Sequence, residues 1–572
     1  MSYKLFEKAR SLISQEQKIL PFPPAPRDPR GMLSIALAYP NRYYTAMSNL
    51  GFQAVYWLFN QEPETICQRV FLPDPEDIQE YRRTDTALFS LESQWPVRSF
   101  DVLAFSLSYE NDFPHLLVMM ELARVPLLKK DRTGRDPLVM GGGASILMNP
   151  EPLADFFDFF VIGEAEEVVK PLTVVLRRGR EGGKPKEAIL ADLAKLAGVY
   201  VPQFYDLTYK PDGTIEAFTP QEGAPARVRR VWLKDLNASV TVSPVVTPNT
   251  ELSGMLLLEL SRGCRRGCRF CAGCYAYFPH RIRDSSVLEE AALEGAGSAE
   301  KVGLVGAALS DYPDLITLGR GILDHHKPIS FSSLRVDSLS PELADLASQS
   351  GQKTITLAPE AGSERMRRII RKGFTEEAIL QAVEILAERG FANFRLYFMI
   401  GLPEERVEDV KAIIDLTRKI QHHIIVKAPG KKKPEKITLS LNSFVPKPTT
   451  PFQWHPFEDL PALNERIQWV KDAFRRDKNI SVTADLPKWA YLQNLLSRGD
   501  RRVGKLLLAA HRLGGNWPQA YRSVDINPDF YVYRRRSFEE ILPWDFIDHG
   551  IKKEFLWREY QEALKEGAEW KV

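Results

Sequence analysis

From residue 33 the chain repeats one pattern: a short uninterrupted apolar run, a turn, then a stretch with apolar positions every three to four residues. The runs 34–40, 102–108, 137–143 and 159–163 contain no charged residue, and helical periods occupy 48–58, 113–123 and 164–176. A strand that is apolar on both faces is one that helices cover on both sides. The pattern therefore predicts a parallel, doubly wound, Rossmann-like sheet across 31–185. Such sheets bind ligands beyond the carboxyl ends of their strands, which here hold Pro40, Asn41, Ser106, Ser108, Tyr109, Glu110, Gly141, Gly142 and Gly143.

The same alternation resumes after residue 250. Apolar runs at 255–260, 301–305, 330–333, 354–357, 393–399 and 437–441 are separated by helical periods such as 376–389 and 407–420. Six strand–helix units predict a partial (β/α)6-type parallel barrel across 251–455, with its chemistry at the carboxyl ends of the strands. The remaining segments are a helical lead with a proline-rich connector (1–30), a β-rich linker (186–250) and a helical C-terminal region (456–572). Trp489, Tyr491, Trp517, Tyr521 and Trp544 of that last region are expected in the core or at an interface.

Composition narrows the classes. A chain of 572 residues is too long for one core. At 44% apolar and 26% charged it reads as globular, and its net charge of +2 steers it towards no polyanion. No apolar run reaches the length of a membrane span, and the first residues lack a signal-peptide core, so a cytoplasmic protein is expected. The basic segments 365–372, 227–230 and 431–436 are expected to be solvated faces or loops.

Four of the five cysteines fall within eleven residues, in Ser261-Arg-Gly-Cys264-Arg-Arg-Gly-Cys268-Arg-Phe-Cys271-Ala-Gly-Cys274, directly after the first barrel strand. Cys264, Cys268 and Cys271 are spaced C-x3-C-x2-C. Three thiolates can hold three irons of a 4Fe–4S cubane and leave the fourth open to a ligand, whereas an electron carrier uses four. A structural zinc site is the alternative, but zinc modules present two separated cysteine pairs, and here no second pair follows. Cys274 fits none of the three positions and is expected to be a small buried residue, as is Cys67.

These residues resemble the radical S-adenosylmethionine (radical SAM) superfamily over about 250–455, and within it a bacterial subgroup with an N-terminal cobalamin-binding-like domain. Further segments carry the resemblance: Tyr39-Pro-Asn, Met47-Ser-Asn-Leu-Gly-Phe52, Ser106-Leu-Ser-Tyr-Glu110, Asn149-Pro-Glu-Pro-Leu-Ala-Asp155, Pro359-Glu-Ala-Gly-Ser363, Gly401-Leu-Pro-Glu404, Phe444-Val-Pro-Lys-Pro-Thr-Thr-Pro-Phe452 and Arg498-Gly-Asp-Arg-Arg502. The resemblance implies a 4Fe–4S cluster on Cys264, Cys268 and Cys271, S-adenosylmethionine on the open iron, and a 5′-deoxyadenosyl radical from its one-electron cleavage. It implies Ser310 and Asp311 at the amino group, where the family's glycine-glycine-glutamate segment is missing, unless they form a helix N-cap pair. It implies Glu360 at the ribose, unless it is a structural carboxylate. Arg281 and Arg395 become candidate carboxylate clamps, unless each forms a salt bridge, and Gly401 would pack on adenine by its backbone.

Cobalamin is implied less directly. The Asp-x-His-x-x-Gly motif is absent and the first histidine is His115, so the N-terminal sheet either holds cobalamin without a histidine below cobalt or serves a structural or partner-binding role. The implied activity is hydrogen abstraction or methylation at an unactivated carbon, with an electron donor such as a flavodoxin or ferredoxin. The alternatives are cobalamin-independent, methylthiotransferase-like chemistry, and a non-catalytic cluster or zinc scaffold for RNA or ribosomal proteins.

Overall fold

The structure, a computed structural model, describes residues 2–23, 31–297, 299–332, 334–428, 430 and 434–569. Most of the proline-rich connector and Lys431–Lys433 of one basic segment lie outside the described residues.

Residues 33–200 form a six-stranded sheet: β1 (Leu33–Tyr39), β2 (Thr65–Phe71), β3 (Val102–Ser106), β4 (Leu138–Gly142), β5 (Phe159–Val161) and β6 (Val199–Tyr200). Its order is β2-β1-β3-β4-β5-β6, parallel except for the last pair. The predicted strands are there, and nearly every residue of β1, β3 and β4 is buried. The sequence reading did not give β2, whose Thr-Ile-Cys-Gln-Arg-Val-Phe mixes polar with apolar residues. Arg69 on it is buried because Glu16 and Glu92 neutralise it, at 2.7 Å each. The chain runs from β1 out to β2 and then back across to β3. The topological switch, where such sheets bind ligands, thus lies between the ends of β1 and β3.

The 186–250 segment is not only β-structured. It opens with the helix Lys186–Leu193, supplies β6, and then makes the hairpin Tyr205–Tyr209 with Ile215–Pro220.

The second sheet system comprises β7 (Met255–Glu259), β8 (Lys301–Val305), β9 (Ile329–Phe331), β10 (Thr354–Glu360), β11 (Asn393–Ile400), β12 (Lys436–Ser443) and β13 (Ile480–Ala484), all parallel to their neighbours. Among the described residues, one bridge, Leu334 to Leu357, joins the three-stranded part to the four-stranded part. Ile355 and Leu357, then Phe394, Leu396, Phe398 and Ile400, then Ile437, Leu439 and Leu441 are buried. The alternate face carries Thr356, Arg395, Thr438 and Ser481, side by side in register. These strands thus bury one face and present polar groups on the other.

The seventh strand, β13, comes from the region expected to be helical. Apart from it and the short strand Ile547–Asp548, which pairs with Val228–Arg229, the described part of that region is built mainly of helices, among them Lys553–Glu569. Tyr491 and Trp544 are buried there, but Trp489 is exposed.

Candidate functional site

The cysteine loop leaves the carboxyl end of β7 and turns back on itself. Gly263 and Gly267 have φ of 78° and 68°. A Cβ at Gly263 would stand 2.6 Å from the Tyr277 carbonyl oxygen, so no larger residue fits that turn. The fold-back gathers Cys264, Cys268, Cys271 and Cys274, with the Cys274 thiol in hydrogen-bond contact with each of the other three.

That contact separates the four chemically. Hydrogen bonding from Cys274 brings Cys264 down to about 6 and Cys268 down to about 7, against the opposing effect of burial. The charge of Arg335 adds to both, and that of Lys372 to Cys268. Cys271 is lowered for the same first reason, whereas Cys274, holding its proton among the three, is raised. Thiolates are the metal-binding form, and the three lowered thiols are those of the C-x3-C-x2-C spacing. Among the described residues, no three His, Cys, Asp or Glu side chains enclose a single metal ion.

Acidic residues from several segments pin the arginines of this loop. Arg266 binds Asp311 (Nε–Oδ2 2.7 Å) and Asp337 (3.0 Å), at the ends of β8 and β9. Arg269 binds Glu559 at 3.2 Å and Glu566 at 2.9 Å on the C-terminal helix. Arg262 binds Glu164 at 2.8 Å, Glu166 at 2.9 Å and Glu259 at 2.7 Å. The loop is thereby fixed from both sheets and from the chain's last helix. The sequence reading missed Glu559, Glu562 and Glu566, although their three- and four-residue spacing puts them on one helical face. It also missed Arg335, which follows the end of β9, and Lys372.

The residues singled out from the sequence fall in three groups. Glu360 ends β10 with a φ of 66°, an uncommon conformation for a side-chain-bearing residue, and pairs with Lys372 at 3.0 Å. Lys372 also lies over the Phe270 ring of the cysteine loop. Arg395 is exposed on the polar face of the sheet and has no ion-pair partner among the described residues. Ser310 and Asp311 form a 3-10 turn beside Cys264 and cap no helix, since Leu315–Asp324 starts after Asp314. The Ser310 hydroxyl contacts that of Ser338 at 3.1 Å and accepts from Arg335 N at 3.2 Å. Burial opposes ionisation of Asp311, but hydrogen bonding and charge from Arg266 hold its carboxyl below the usual range.

One of these expectations needs correction. Arg281 is not free to clamp a carboxylate. It is buried, and its guanidinium is taken up by Glu164 (2.7 and 2.9 Å) and the Leu233 carbonyl. The Gly401 N–H donates to Glu405 Oε2 at 2.8 Å, which bears on its hydrogen bonding and not on packing against a ring. A Cβ there would meet Leu463 at 2.7 Å, and its φ is 84°, so a helix packing against the turn explains the glycine.

The basic segments are solvated only in part: Arg227, Arg229, Arg368 and Arg371 are exposed, but other arginines of the same runs are buried. Arg365 is buried against Asp409 (2.6 Å), Arg367 donates to the carbonyls of Ala361 and Gly362, and Arg230 to that of Phe278.

In the N-terminal sheet, a cavity of about 390 Å³ opens at the switch point. Its walls are mainly apolar, with Phe59, Phe105 and Val168 among them, and Asn49, Ser106 and Ser108 contribute polar groups. Asn49 caps Leu50–Gln61 and also reaches Ser108 Oγ at 3.3 Å. Gly142 and Gly143 line the cavity. A Cβ on Gly142 would touch nothing nearer than 3.8 Å, whereas one on Gly143 would strike the Leu107 oxygen at 2.5 Å. Gly141 does not belong to the cavity; a Cβ there would meet the Phe160 ring at 2.7 Å, so it serves packing. Tyr277, three residues past Cys274, forms part of the cavity wall.

The carboxyl ends of both sheet systems are tied together. Glu110, beyond β3, binds Lys447, beyond β12, at 2.7 and 2.8 Å. Glu164, beyond β5, binds Arg262 and Arg281, which flank the cysteine loop on an antiparallel pair.

Two family descriptions match this chain: "Radical SAM proteins, N-terminal" over residues 51–202 and "Radical SAM superfamily" over 258–417. An uncharacterised protein of Methanocaldococcus jannaschii is 28% identical over 479 residues, 83% of this chain and 90% of that one. A ribosomal protein uS12 methylthiotransferase of Leptospira biflexa is 24% identical over 44% of this chain and 51% of its own length. Among solved structures, the cobalamin-dependent radical enzyme OxsB with aqua-cobalamin and S-adenosylmethionine overlaps 94% of this chain and 80% of its own, at 12% identity and a TM-score of 0.47. The methyltransferase TsrM of Kitasatospora setae with cobalamin and a [4Fe-4S] cluster overlaps 72% of each chain, at 16% identity and a TM-score of 0.46. The two family matches fall one on each sheet system, and with the cysteine loop at the head of the second, the chain belongs to the radical SAM superfamily of enzymes.

Proposed function

We propose that this enzyme holds a 4Fe–4S cluster on Cys264, Cys268 and Cys271, binds S-adenosylmethionine beside it, and carries cobalamin in the N-terminal cavity to methylate an unactivated carbon. The observation that carries the reading is the face-to-face joining of the two ligand ends, with Tyr277 shared between cysteine segment and cavity.

The donors suit the groups. Three lowered thiols flanked by Arg335 and Lys372 match an anionic cluster. An apolar slot with Ser106, Ser108 and an unhindered Gly142 matches an aromatic base attached to a sugar phosphate. When bound, the cluster and S-adenosylmethionine supply a carbon-centred radical, and cobalamin supplies a methyl carrier.

The chain's own residues orient and enclose. Arg395, without an ion-pair partner among the described residues, offers a cation on the polar face of the sheet for a carboxylate, and Glu360, held by Lys372, offers acceptors for a ribose. Asp311 is spent on Arg266, so the amino group is left to the Ser310 region and the open iron. Expression with added hydroxocobalamin and anaerobic purification test the reading. Cluster iron and cobalt should co-purify in stoichiometric amounts, with an EPR signal that changes on adding S-adenosylmethionine. A full cluster without cobalt turns the reading to cobalamin-independent radical chemistry, and zinc in place of iron defeats it.

A further inference from the structure

Counted backward from Cys274, the loop reads Cys268-x2-Cys271-x2-Cys274. This is the C-x2-C-x2-C spacing with which bacterial ferredoxin loops place three cysteines on one cubane. The loop thus carries two overlapping cluster-binding frames that share Cys268 and Cys271.

The backbone makes both frames usable. Cys271 N bonds Cys268 O and Cys274 N bonds Cys271 O, each at 3.1 Å, giving two successive i→i+3 turns. Side chains three residues apart eclipse one another in such turns, which brings the thiols of Cys268, Cys271 and Cys274 to one side. Cys264 reaches the same place through the turns at Gly263 and Gly267. Cys274 is 5% exposed and touches the thiols of all three. A cysteine that merely filled the core would have no such company; Cys67 lies within β2, far along the chain from the other four.

We propose that Cys274 is a fourth, exchangeable ligand of the cluster, closing the open iron in the absence of S-adenosylmethionine and yielding to it on binding. The inference rests on the assignment of the other three cysteines to a cluster. The exchange is a ligand substitution. The bond from iron to Cys274 Sγ breaks, the ammonium of S-adenosylmethionine gives up one proton so that its nitrogen can bind, and the departing thiolate takes up one proton. Bonds from the amino nitrogen and carboxylate oxygen of S-adenosylmethionine form to the same iron, and no electron moves. A capped iron is shielded from oxidants, so the resting enzyme keeps its cluster until the co-substrate arrives.

The test uses the full-length protein, reconstituted anaerobically, as wild type, Cys274→Ala and Cys274→Ser. Iron and sulfide are counted first, because a wild type that takes up no cluster defeats the underlying assignment rather than this step. The loaded proteins are then treated with ferricyanide, which strips an uncapped iron and leaves an EPR-active [3Fe–4S] centre. Without S-adenosylmethionine the wild type should yield several-fold less of that signal than Cys274→Ala. With it, the two should be equally protected. If the capped form makes up about nine-tenths of resting molecules, removing the cap tightens apparent S-adenosylmethionine binding about tenfold. Equal [3Fe–4S] yields in the loaded wild type and Cys274→Ala overturn the proposal. So does loss of all iron from both variants, which would make Cys274 a permanent ligand.

Discussion

Glu164 is where the two halves of the site meet, and Glu164→Gln tests that junction with almost no change of shape. The carboxylate accepts from Arg281 at 2.7 and 2.9 Å, from Arg262 at 2.8 Å and from Leu233 N at 3.0 Å, with its side chain 4% exposed. Burial resists its ionisation, yet the Arg281 hydrogen bonds and the charges of Arg262 and Arg281 hold it below the usual carboxylate range. Removing one partner of a buried ion pair costs about 3–5 kcal/mol. Arg262 keeps Glu166 and Glu259, so the loss falls on Arg281 and on the more distant Arg230, 3.9 Å away, and the amide still accepts a hydrogen bond, which selects the lower end, about 3 kcal/mol. With a urea slope of about 3 kcal/mol per molar, the unfolding midpoint falls by about 1 M. Tryptophan fluorescence reads that midpoint, and visible absorbance of the reconstituted protein reports loosening of the cysteine loop. Glu64→Gln, at an exposed pair with Arg177, is the control and should barely move it. The stabilisation comes from a lowered carboxyl, so it is present above the unfolded pKa and lost as pH falls through the folded one. Wild type and variant should therefore converge in acid. A Glu164→Gln midpoint matching wild type at pH 7 would refute the junction.

Other consequences follow from particular side chains. Arg269→Ala leaves Glu559 and Glu566 without their loop partner, and should lose cluster iron to a chelator several-fold faster than wild type, followed by absorbance. Gly142→Leu projects into the N-terminal cavity from a position with nothing nearer than 3.8 Å; cobalt retention should fall about tenfold or more while the melting temperature holds. Glu360→Gln removes a charged acceptor, worth about 1.5–3 kcal/mol, and should weaken S-adenosylmethionine binding about ten- to hundredfold in equilibrium dialysis. Burial lowers His455 and His549 to about 3, with Arg535 and Arg498 adding to it at His455, and Arg230 and Arg227 at His549. A depressed pKa gives stability that is present above the unfolded value and lost as pH falls towards 3, so melting temperature should drop from pH 7 to pH 5. His549→Phe should flatten that slope, and an unchanged slope would count against a buried neutral ring.

The strands and the cysteine loop could be read along the chain because each rests on local pattern: continuous apolar runs for buried parallel strands, and close-spaced thiols for a cluster. β13 could not, since Ile-Ser-Val-Thr-Ala becomes a strand by pairing with β12, forty residues earlier. The role of Arg281 and the packing on Gly401 were also out of reach, because each is decided by a partner remote in the chain or packed on it from another element, Glu164 for one and Leu463 for the other. The same holds for the basic runs: an arginine looks solvated until the fold sets a carboxylate or a row of carbonyls against it, as at Arg365 and Arg367.

The sequence by itself therefore determined the superfamily and most of the alternating strands and helices, since close-spaced cysteines and the apolar period are both carried by local pattern. Tertiary structure alone decided what surrounds the cysteines. Opposite charges 98 or more residues apart had to be brought together before Glu164, Glu559 and Glu566 could hold the loop, and Cys274 met Cys264 only once two glycine turns had closed.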